Sequence, residues 1–134
     1  MWLDDYLEAK PEAVETFPAD QDTRVFKVQH KMFALIVEKE GVSRVNLKCE
    51  PDYALVLREK FDSVVPGHHM NKKHWNSIFL DGSVPKDEIK RMVDHSYAIV
   101  VAGMPTDPRV GLEERHGKEV LYRGLEVDSE ASVD

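Results

Sequence analysis

The feature that most constrains the fold is an alternation of apolar and polar side chains in the middle of the chain. From position 42 to 49, apolar residues alternate with the polar and basic residues Arg44, Asn46 and Lys48. Because successive side chains of a β-strand point to opposite faces, this alternation predicts a strand with one buried face and one polar face. The polar face carries a row of basic side chains. We expect the sheet that contains this strand to be mainly antiparallel and covered on one side.

The other elements follow from helical spacing, alternation and turn residues. Proline at positions 51 and 85 is typical of the first turn of a helix, and the short connection at Gln29-His30-Lys31 predicts a hairpin. The expected elements are a helix at 2–7, a helical turn at 11–17, strands at 24–29, 32–38 and 42–49, a helix at 51–61, strands at 64–69 and 74–80, and a helix from 85 to 103. This order predicts an α+β fold: a two-layer α/β sandwich, α-β(3)-α-β(2)-α, with a mainly antiparallel sheet.

Composition is that of an ordinary globular domain. The chain has 134 residues, of which 42% are hydrophobic and 32% charged, which is enough for one domain with its own core. The longest apolar runs, 34–37 and 98–104, are far shorter than the ~20 residues that span a bilayer, so we expect no membrane association. The start of the chain lacks the pattern of a signal peptide, and the single cysteine, Cys49, excludes an intrachain disulfide. Both features favour a cytoplasmic location.

Charge is distributed unevenly along the chain. The formal net charge is −7, but residues 1–23 carry −6, residues 24–104 carry +3 and residues 105–134 carry −4. We therefore divide the chain into a domain at 1–104 and an acidic C-terminal extension at 105–134. The extension is expected to form a short helix or strand and to be disordered from Asp128 onward.

The stretch at positions 66–82, PGHHMNKKHWNSIFLDG, holds three of the six histidines, His68, His69 and His74. Adjacent residues in a strand point to opposite faces, and no further ligand stands at metal-site spacing, so surface histidines are expected, with no metal and no cofactor. Cys49 is expected to be buried and unreactive, and the chain has no G-x-S-x-G elbow and no glycine-rich phosphate loop. We therefore expect no catalytic residues and no enzyme activity.

A basic cluster is the strongest functional signal. It consists of four cations with an amide, a histidine and an aromatic ring among them: Arg44, Lys48, Lys72, Lys73, Asn71, His69 and Trp75. Cations neutralise phosphates, whereas amides and aromatic rings reach bases and sugars, so this mixture is suited to nucleic acid. The alternative interpretation is that Lys72 and Lys73 are solvated turn residues and that Trp75 belongs to the core. The formal net charge of −7 favours this alternative. Because adjacent residues of a strand point to opposite faces, we expect Trp75 inside and His74 accessible. The candidate nucleic-acid-binding residues are Arg44, Lys48, His69, Asn71, Lys72, Lys73 and His74.

The order of motifs from about position 2 to 103 resembles the MmcQ/YjbR family. The resemblance is carried by TFPADQDTRVFKVQHKMFALI, NLKCEPDYALVLRE, PGHHMNKKHWNSIFLDGSVPKDEI and DHSYAIVV. It implies the same two-layer fold, shared in outline with secretion-chaperone-like and frataxin-like domains. It also implies a double-wing DNA-binding motif, with surface residues Lys48, His69, Asn71, Lys72, Lys73 and His74. One departure is Gln29-His30, where relatives often have glycine, and another is the acidic extension, which would compete with phosphate for the basic face.

These observations predict a non-enzymatic, cytoplasmic DNA-binding protein that contacts double-stranded DNA through the face around Asn71-Lys72-Lys73. The alternative is a protein- or peptide-binding, chaperone-like module, which predicts a homodimer with an exposed apolar patch. An enzyme is the third possibility, and it requires a closed pocket that contains His69, Asn71 or His74.

Overall fold

In the computed structural model, which describes residues 1–18, 22–67 and 69–125, one six-stranded sheet packs against a layer of helices. The strands are β1 (Ala13–Thr16), β2 (Thr23–Val28), β3 (Lys31–Lys39), β4 (Val42–Lys48), β5 (Val64–Pro66) and β6 (Trp75–Phe79). The helices are α1 (Trp2–Glu8), α2 (Pro51–Lys60), α3 (Lys86–Ala102), α4 (Thr106–His116) and α5 (Lys118–Leu121), followed by a 3-10 turn at Arg123–Leu125. The strand order is β1-β2-β3-β4-β6-β5 and every pair is antiparallel. The predicted α+β fold is thus confirmed.

Strand β1 occupies the segment where a helical turn was predicted, and that detail of the prediction is wrong. The strand pairs with β2 along its whole length. Arg24 of β2 also donates two hydrogen bonds to the carboxylate of Glu15, from Nε at 2.7 Å and from Nη2 at 3.0 Å. These partners lie at a distance in the sequence, so local propensity alone does not reveal them.

Two tight hairpins connect β2 to β3 and β3 to β4. Gln29 and His30 close the first with φ values of 49° and 67°, and Glu40 and Gly41 close the second with 55° and 77°. Positive φ at both central positions is typical of the type I′ turn that matches the twist of a hairpin. Residues other than glycine adopt this region at a cost of about 1–3 kcal/mol each. The first hairpin therefore keeps a tight turn without glycine, at the expense of strain.

The core lies on one face of the sheet. Phe26, Ile36, Val45 and Ile78 come from four neighbouring strands, are fully buried and face the helices. Helix α3 lies across β3 and β4 and contributes the fully buried Tyr97, whose ring meets that of Phe33 edge-on at 5.3 Å. No helix that the structure describes has the length and apolar character needed to cross a membrane.

A β-bulge in β3 explains how Phe33 reaches that core. The register between β2 and β3 shifts after Phe26, so Phe33 has no partner in β2 and turns toward α3. Its carbonyl accepts a hydrogen bond from the hydroxyl of Ser96 at 2.6 Å, and that hydroxyl accepts one from the N–H of Lys48 at 2.9 Å. Ser96 therefore supplies the hydrogen bonds that the sheet lacks where β4 ends.

Two further polar residues of α3 join the helices to one another. The fully buried ring of His95 accepts a hydrogen bond at Nε2 from the N–H of Glu50, so its Nδ1 carries the proton and donates to the carbonyl of Gly124; both distances are 3.2 Å. Asp94 accepts hydrogen bonds from the hydroxyl of Tyr6, at 2.7 Å, and from the ammonium of Lys10. These contacts connect α1, α2 and the C-terminal turn to α3.

The described part of the C-terminal segment packs against α3. Residues 106–125 form α4, α5 and the 3-10 turn, so of the two predicted alternatives the segment is helical. Leu112 and Leu121 are buried, and a Cβ on Gly124 would lie 2.2 Å from backbone atoms of Asp94 and His95. Residues 105–125 thus share the core of the domain predicted at 1–104. Residues 128–134, which were predicted to be disordered, lie outside the described residues.

Candidate nucleic-acid interface

The face of the sheet opposite the helices is open, and the strand register places its residues in rows. Arg44 of β4 stands beside Phe79 of β6, and Lys48 stands beside Trp75. Between these two cross-strand pairs lies a third, Asn46 and Ser77, whose side chains hydrogen-bond to each other. The cations and the aromatic rings on this face are partly exposed. On the open face, two cations along β4 thus lie next to two aromatic rings along β6.

Trp75 was predicted to lie in the core, and the structure corrects this. Its partner in the sheet is Lys48, so it shares the open face with that lysine, and Trp75 and His74 are both half-buried. The core face of β6 is taken instead by Asn76 and Ile78. A buried asparagine is tolerated there because its amide is satisfied by hydrogen bonds from neighbouring groups.

Arg58 of α2 supplies one of those hydrogen bonds and also holds the loop at 67–74 in place. Its Nε donates to Oδ1 of Asn76 at 2.7 Å, and its Nη2 donates to the carbonyl of Lys72 and, at 3.3 Å, to the carbonyl of Trp75. Sequence analysis missed Arg58, because its position near the end of an amphipathic helix predicts only a solvated side chain. The guanidinium positions the loop without occupying its outer surface.

The loop at 67–74 presents the remaining candidate residues. Gly67 begins it in close contact with Trp75: a Cβ on Gly67 would lie 2.7 Å from the Cβ of Trp75. Asn71 accepts a hydrogen bond at Oδ1 from the N–H of Lys73 at 2.9 Å, which fixes a tight turn that exposes Lys72 and Lys73. The ammonium of Lys72 approaches the carbonyl of Gly67 at 3.4 Å.

The structure brings most of the predicted site residues to one end of the sheet. The end of β4 lies beside the end of the loop, where the N–H of Cys49 donates to the carbonyl of His74 at 2.8 Å. Lys48 therefore lies near the loop that carries His69, Asn71, Lys72 and Lys73. Arg44 lies four residues away along β4, about 13 Å at ~3.3 Å per residue. His68 lies outside the described residues.

Acidic side chains are missing from this region of the sequence. Residues 41–49 and 63–80 contain four Lys or Arg residues and no Asp or Glu, in a chain that has 25 acidic residues. The sheet places these two segments side by side through the pairing of β4 with β6. Among the described residues, none of Arg44, Lys48, Lys72 and Lys73 forms an ion pair. Their positive charge is thus not neutralised by a neighbouring carboxylate.

Two carboxylates on other parts of the molecule, Glu12 and Asp94, have hydrogen-bond partners. Hydrogen bonds from Arg115 and His116 hold the pKa of Glu12 at about 2, below its usual 4.5. On the helix side, burial and the hydrogen bond to Asp94 raise the pKa of the Tyr6 hydroxyl. These interactions join elements of the fold, and they lie away from the open face.

Comparison with known proteins identifies the family. The family model described as YjbR matches residues 8–99. The chain is 38% identical over 104 residues to the Escherichia coli K12 protein named uncharacterized protein YjbR, an alignment that covers 78% of the chain and 88% of that protein. The chain belongs to the YjbR family.

Two solved structures resemble this YjbR-family chain. The Deinococcus radiodurans protein DR2400 has a TM-score of 0.75 and 35% identity, and the match covers 82% of the chain and 84% of DR2400. A Pseudomonas syringae protein has a TM-score of 0.64 and 26% identity, with 73% of the chain and 95% of that protein covered. In this YjbR-family chain, the motif residues Asn46, Asp94 and Ser96 all make side-chain hydrogen bonds, so they support the fold beneath the basic face.

The described residues include no group of three or more His, Cys, Asp or Glu side chains that could hold a metal ion. Cys49 is buried, as predicted, and it lines an interior space of about 10 Å³ together with Asn76 and His95. A space of that size holds a single water molecule at most.

Proposed function

We propose that this YjbR-family protein binds DNA through the open face of its sheet and the adjoining loop at 67–74. The observation that carries the proposal is the absence of acidic residues from the stretches 41–49 and 63–80, which contain Arg44, Lys48, Lys72 and Lys73 and which the pairing of β4 with β6 places side by side. Lysine and arginine side chains neutralise phosphates and release counterions, which is the main source of affinity in DNA binding. The protein as a whole is acidic, so this surface is where an approaching polyanion meets the least repulsion.

A second pair of lysines provides a contrast. Lys86 and Lys90 lie at the start of α3, over the rings of Trp2 and Tyr6 at 5.0 Å and 5.5 Å. The neighbouring helix α1, however, carries Asp4, Asp5 and Glu8 within seven residues. A phosphate near Lys86 would meet this acidic helix, so the proposal assigns DNA to the open face and not to α3.

The proposed contact differs from one made by extended hairpin wings. The hairpins at Gln29-His30 and Glu40-Gly41 both close through two-residue turns, so they form short, tight corners of the sheet. On the loop at 67–74, Lys72 and Lys73 are exposed to solvent beside Asn71, whose amide N–H groups can donate to phosphate or sugar oxygens. In this proposal the protein contributes binding and no chemistry.

The experiment is a titration of labelled duplex DNA at several salt concentrations. Each phosphate contact that is lost lowers the slope of log affinity against log salt by about 0.9 on duplex DNA, so Lys72→Ala/Lys73→Ala should lower it by up to about 1.8. The matched control is Lys86→Ala/Lys90→Ala, which removes the same charge from α3 and should leave the slope near that of the wild type. If the wild-type protein fails to bind at 50 mM salt, or if the two double variants behave alike, the proposal is wrong.

A deletion tests whether the acidic C-terminal segment competes with DNA. Residues 126–134 contain four acidic residues and no basic ones, so their removal should strengthen binding, most clearly at low salt. The cut belongs after Leu125, because a cut after Pro108 would also remove the buried Leu112 and Leu121 and would expose the core. Unchanged affinity after removal of 126–134 would show that the segment does not compete.

One observation favours the alternative, a peptide-binding module. Strand β1 is an edge of the sheet, and Val14 and Phe17 beside its free edge are 58% and 76% exposed. An extended peptide can add a strand to such an edge. A panel of extended apolar peptides tested by fluorescence anisotropy would decide between the two functions. Binding that Val14→Asp abolishes, in a protein that ignores DNA, would replace the DNA proposal with this one.

A further inference from the structure

On β4 and β6, the open face pairs each of two cations with an aromatic ring. Trp75 and Phe79 lie four residues apart on β6, so both rings are on the same face, about 13 Å from each other at ~3.3 Å per residue. Beside them on β4 stand Lys48 and Arg44, and the guanidinium of Arg44 lies 5.8 Å from the centre of the Phe79 ring. Between the rings lies Ser77, which is small and buried.

This arrangement is specific to β4 and β6. On β3 the same face carries the aliphatic residues Leu35 and Val37, which the register places beside Asn46 and Arg44. Aromatic residues that serve only the core have a different setting, as in the edge-on contact of Phe33 with Tyr97 beneath α3. The two rings of β6 are instead half-buried, face away from the helix layer and have a cation as their cross-strand neighbour.

The cations and rings of this face match the two kinds of group in an unpaired nucleotide chain. Such a chain alternates phosphates, which cations neutralise, with bases whose faces stack on aromatic rings. In a duplex each base already stacks on its neighbours, so rings on the surface of a sheet cannot reach a base face without opening the helix. Duplex DNA can therefore use the lysines of this surface, whereas only unpaired DNA can also use Trp75 and Phe79.

We propose that the open face is a stacking platform for single-stranded DNA, with Trp75 and Phe79 each receiving a base and Arg44 and Lys48 contacting the phosphates between them. This inference rests on the proposed function, because it requires that the basic surface binds DNA at all. It adds a preference: unpaired DNA binds more tightly than a duplex of the same length. The buried hydrogen bond between Asn46 and Ser77 fixes the floor of the platform.

The test compares fluorescein-labelled oligo(dT) of 15 nucleotides with a 15-base-pair duplex at one salt concentration. Trp75→Leu and Phe79→Leu keep an apolar side chain at each site but remove the ring. Each should weaken oligo(dT) binding by about 5- to 150-fold, the equivalent of about 1–3 kcal/mol per stacked base. Neither should change duplex binding. The matched control is Trp2→Leu, which removes a half-buried tryptophan under Lys86 on the helix side and should change neither affinity.

The same control gives a direct signal, because the chain has two tryptophans and Trp2→Leu leaves Trp75 alone. Oligo(dT) should quench the fluorescence of Trp75 in this variant, and the duplex should not. Equal binding of duplex and oligo(dT), with no effect of Trp75→Leu, would overturn the platform and leave the proposed function standing. No binding of either DNA would overturn both. Tighter binding of oligo(U) than of oligo(dT) would overturn the assignment to DNA. A decrease in Trp75 fluorescence as the protein concentration rises without DNA would show that a second copy of the chain covers the face, which would overturn the platform.

Discussion

The two faces of one sheet differ in how their side chains are satisfied. On the helix face, Phe26, Ile36 and Val45 are fully buried, and the polar groups that reach this layer, such as His95 and Ser96, have hydrogen-bond partners inside the protein. On the open face, the cations and rings of β4 and β6 are partly exposed, and Arg44 and Lys48 have no carboxylate partner among the described residues. The contacts that stabilise the fold are thus on the helix face, and the cations without a carboxylate partner are on the open face.

This difference shows where substitutions should affect folding and where they should affect binding. Removing a packed group from the helix face leaves a cavity, and removing a hydrogen-bonded group leaves a buried polar atom without a partner. Both lower the free energy of unfolding. Removing a cation from the open face changes only a solvated group. The predictions below test this division, beginning with the largest expected effect.

Phe33→Ala should lower the free energy of unfolding by about 3–5 kcal/mol, because it empties a fully buried site against Tyr97. The comparison is Leu35→Ala two residues along β3, on the open face, where the side chain is half-buried and the loss should be less than half as large. Urea unfolding of both variants measures the difference. Equal losses would mean that the open face is covered as well as the helix face.

Gly124→Ala should destabilise the protein by about 1–3 kcal/mol, because its Cβ would lie 2.2 Å from backbone atoms of Asp94 and His95 and would push the C-terminal turn away from α3. In the control, Gly111→Ala, the Cβ meets only the flexible end of Arg115, at 3.1 Å. That variant should be unchanged or up to about 1 kcal/mol more stable, since alanine favours a helix. Thermal unfolding distinguishes them, and an unaffected Gly124→Ala would show that residues 106–125 are not part of the core.

His30→Gly should raise the stability by about 1 kcal/mol, because glycine adopts the φ of 67° without the strain that histidine incurs. The neighbouring Gln29 stays in place and keeps its hydrogen bond to Glu12. A control glycine at Lys31, the first residue of β3, should lower the stability. Chemical denaturation of the two variants is sufficient, and a loss of stability in His30→Gly would rule out strain in this hairpin.

Glu12→Gln should reduce the sensitivity of the fold to acid. The pKa of Glu12 is lowered to about 2 by hydrogen bonds from Arg115 and His116, so its contribution is present above the unfolded value of 4.5 and is lost as the pH falls from 4.5 to 2. Because the pair is largely exposed, the contribution is below about 1 kcal/mol. Unfolding curves at pH 7, 4 and 2.5 should show the wild type losing its small advantage over Glu12→Gln within that interval. A constant difference would exclude this ion pair as the cause.

The sequence predicted the elements whose pattern is local. The alternation at 42–49, the prolines at 51 and 85 and the short connection at Gln29-His30-Lys31 all predicted the correct elements within a few residues. The pattern was wrong at β1 and left helix or strand open for the segment after Pro108, and in both places distant contacts decide the structure. β1 depends on its pairing with β2 and on the contact of Glu15 with Arg24. Helices α4 and α5 depend on α3, which receives the turn that contains Gly124.

The candidate site shows the same division. The sequence identified Lys48, Lys72 and Lys73 because charge and turn residues are visible in a linear pattern. It placed Trp75 in the core, because tryptophan is usually buried, and only the pairing with Lys48 shows the open face. Arg58 was invisible as a positioning residue, since its bonds to the loop cross from α2 to β6. Which residues share a face across strands is a property of register, which a single sequence does not specify.

The measurement that tests the account most directly is an amide NMR titration of the full chain with oligo(dT) at low salt. Backbone N–H signals report on every described element at once, so they show which face the DNA contacts without any substitution. If DNA binds the open face, the shifts should be confined to β4, β6 and the loop at 69–74, and α3, α4 and α5 should be unaffected. Shifts centred on Lys86 and Lys90 of α3, or a spectrum that DNA leaves unchanged, would contradict it.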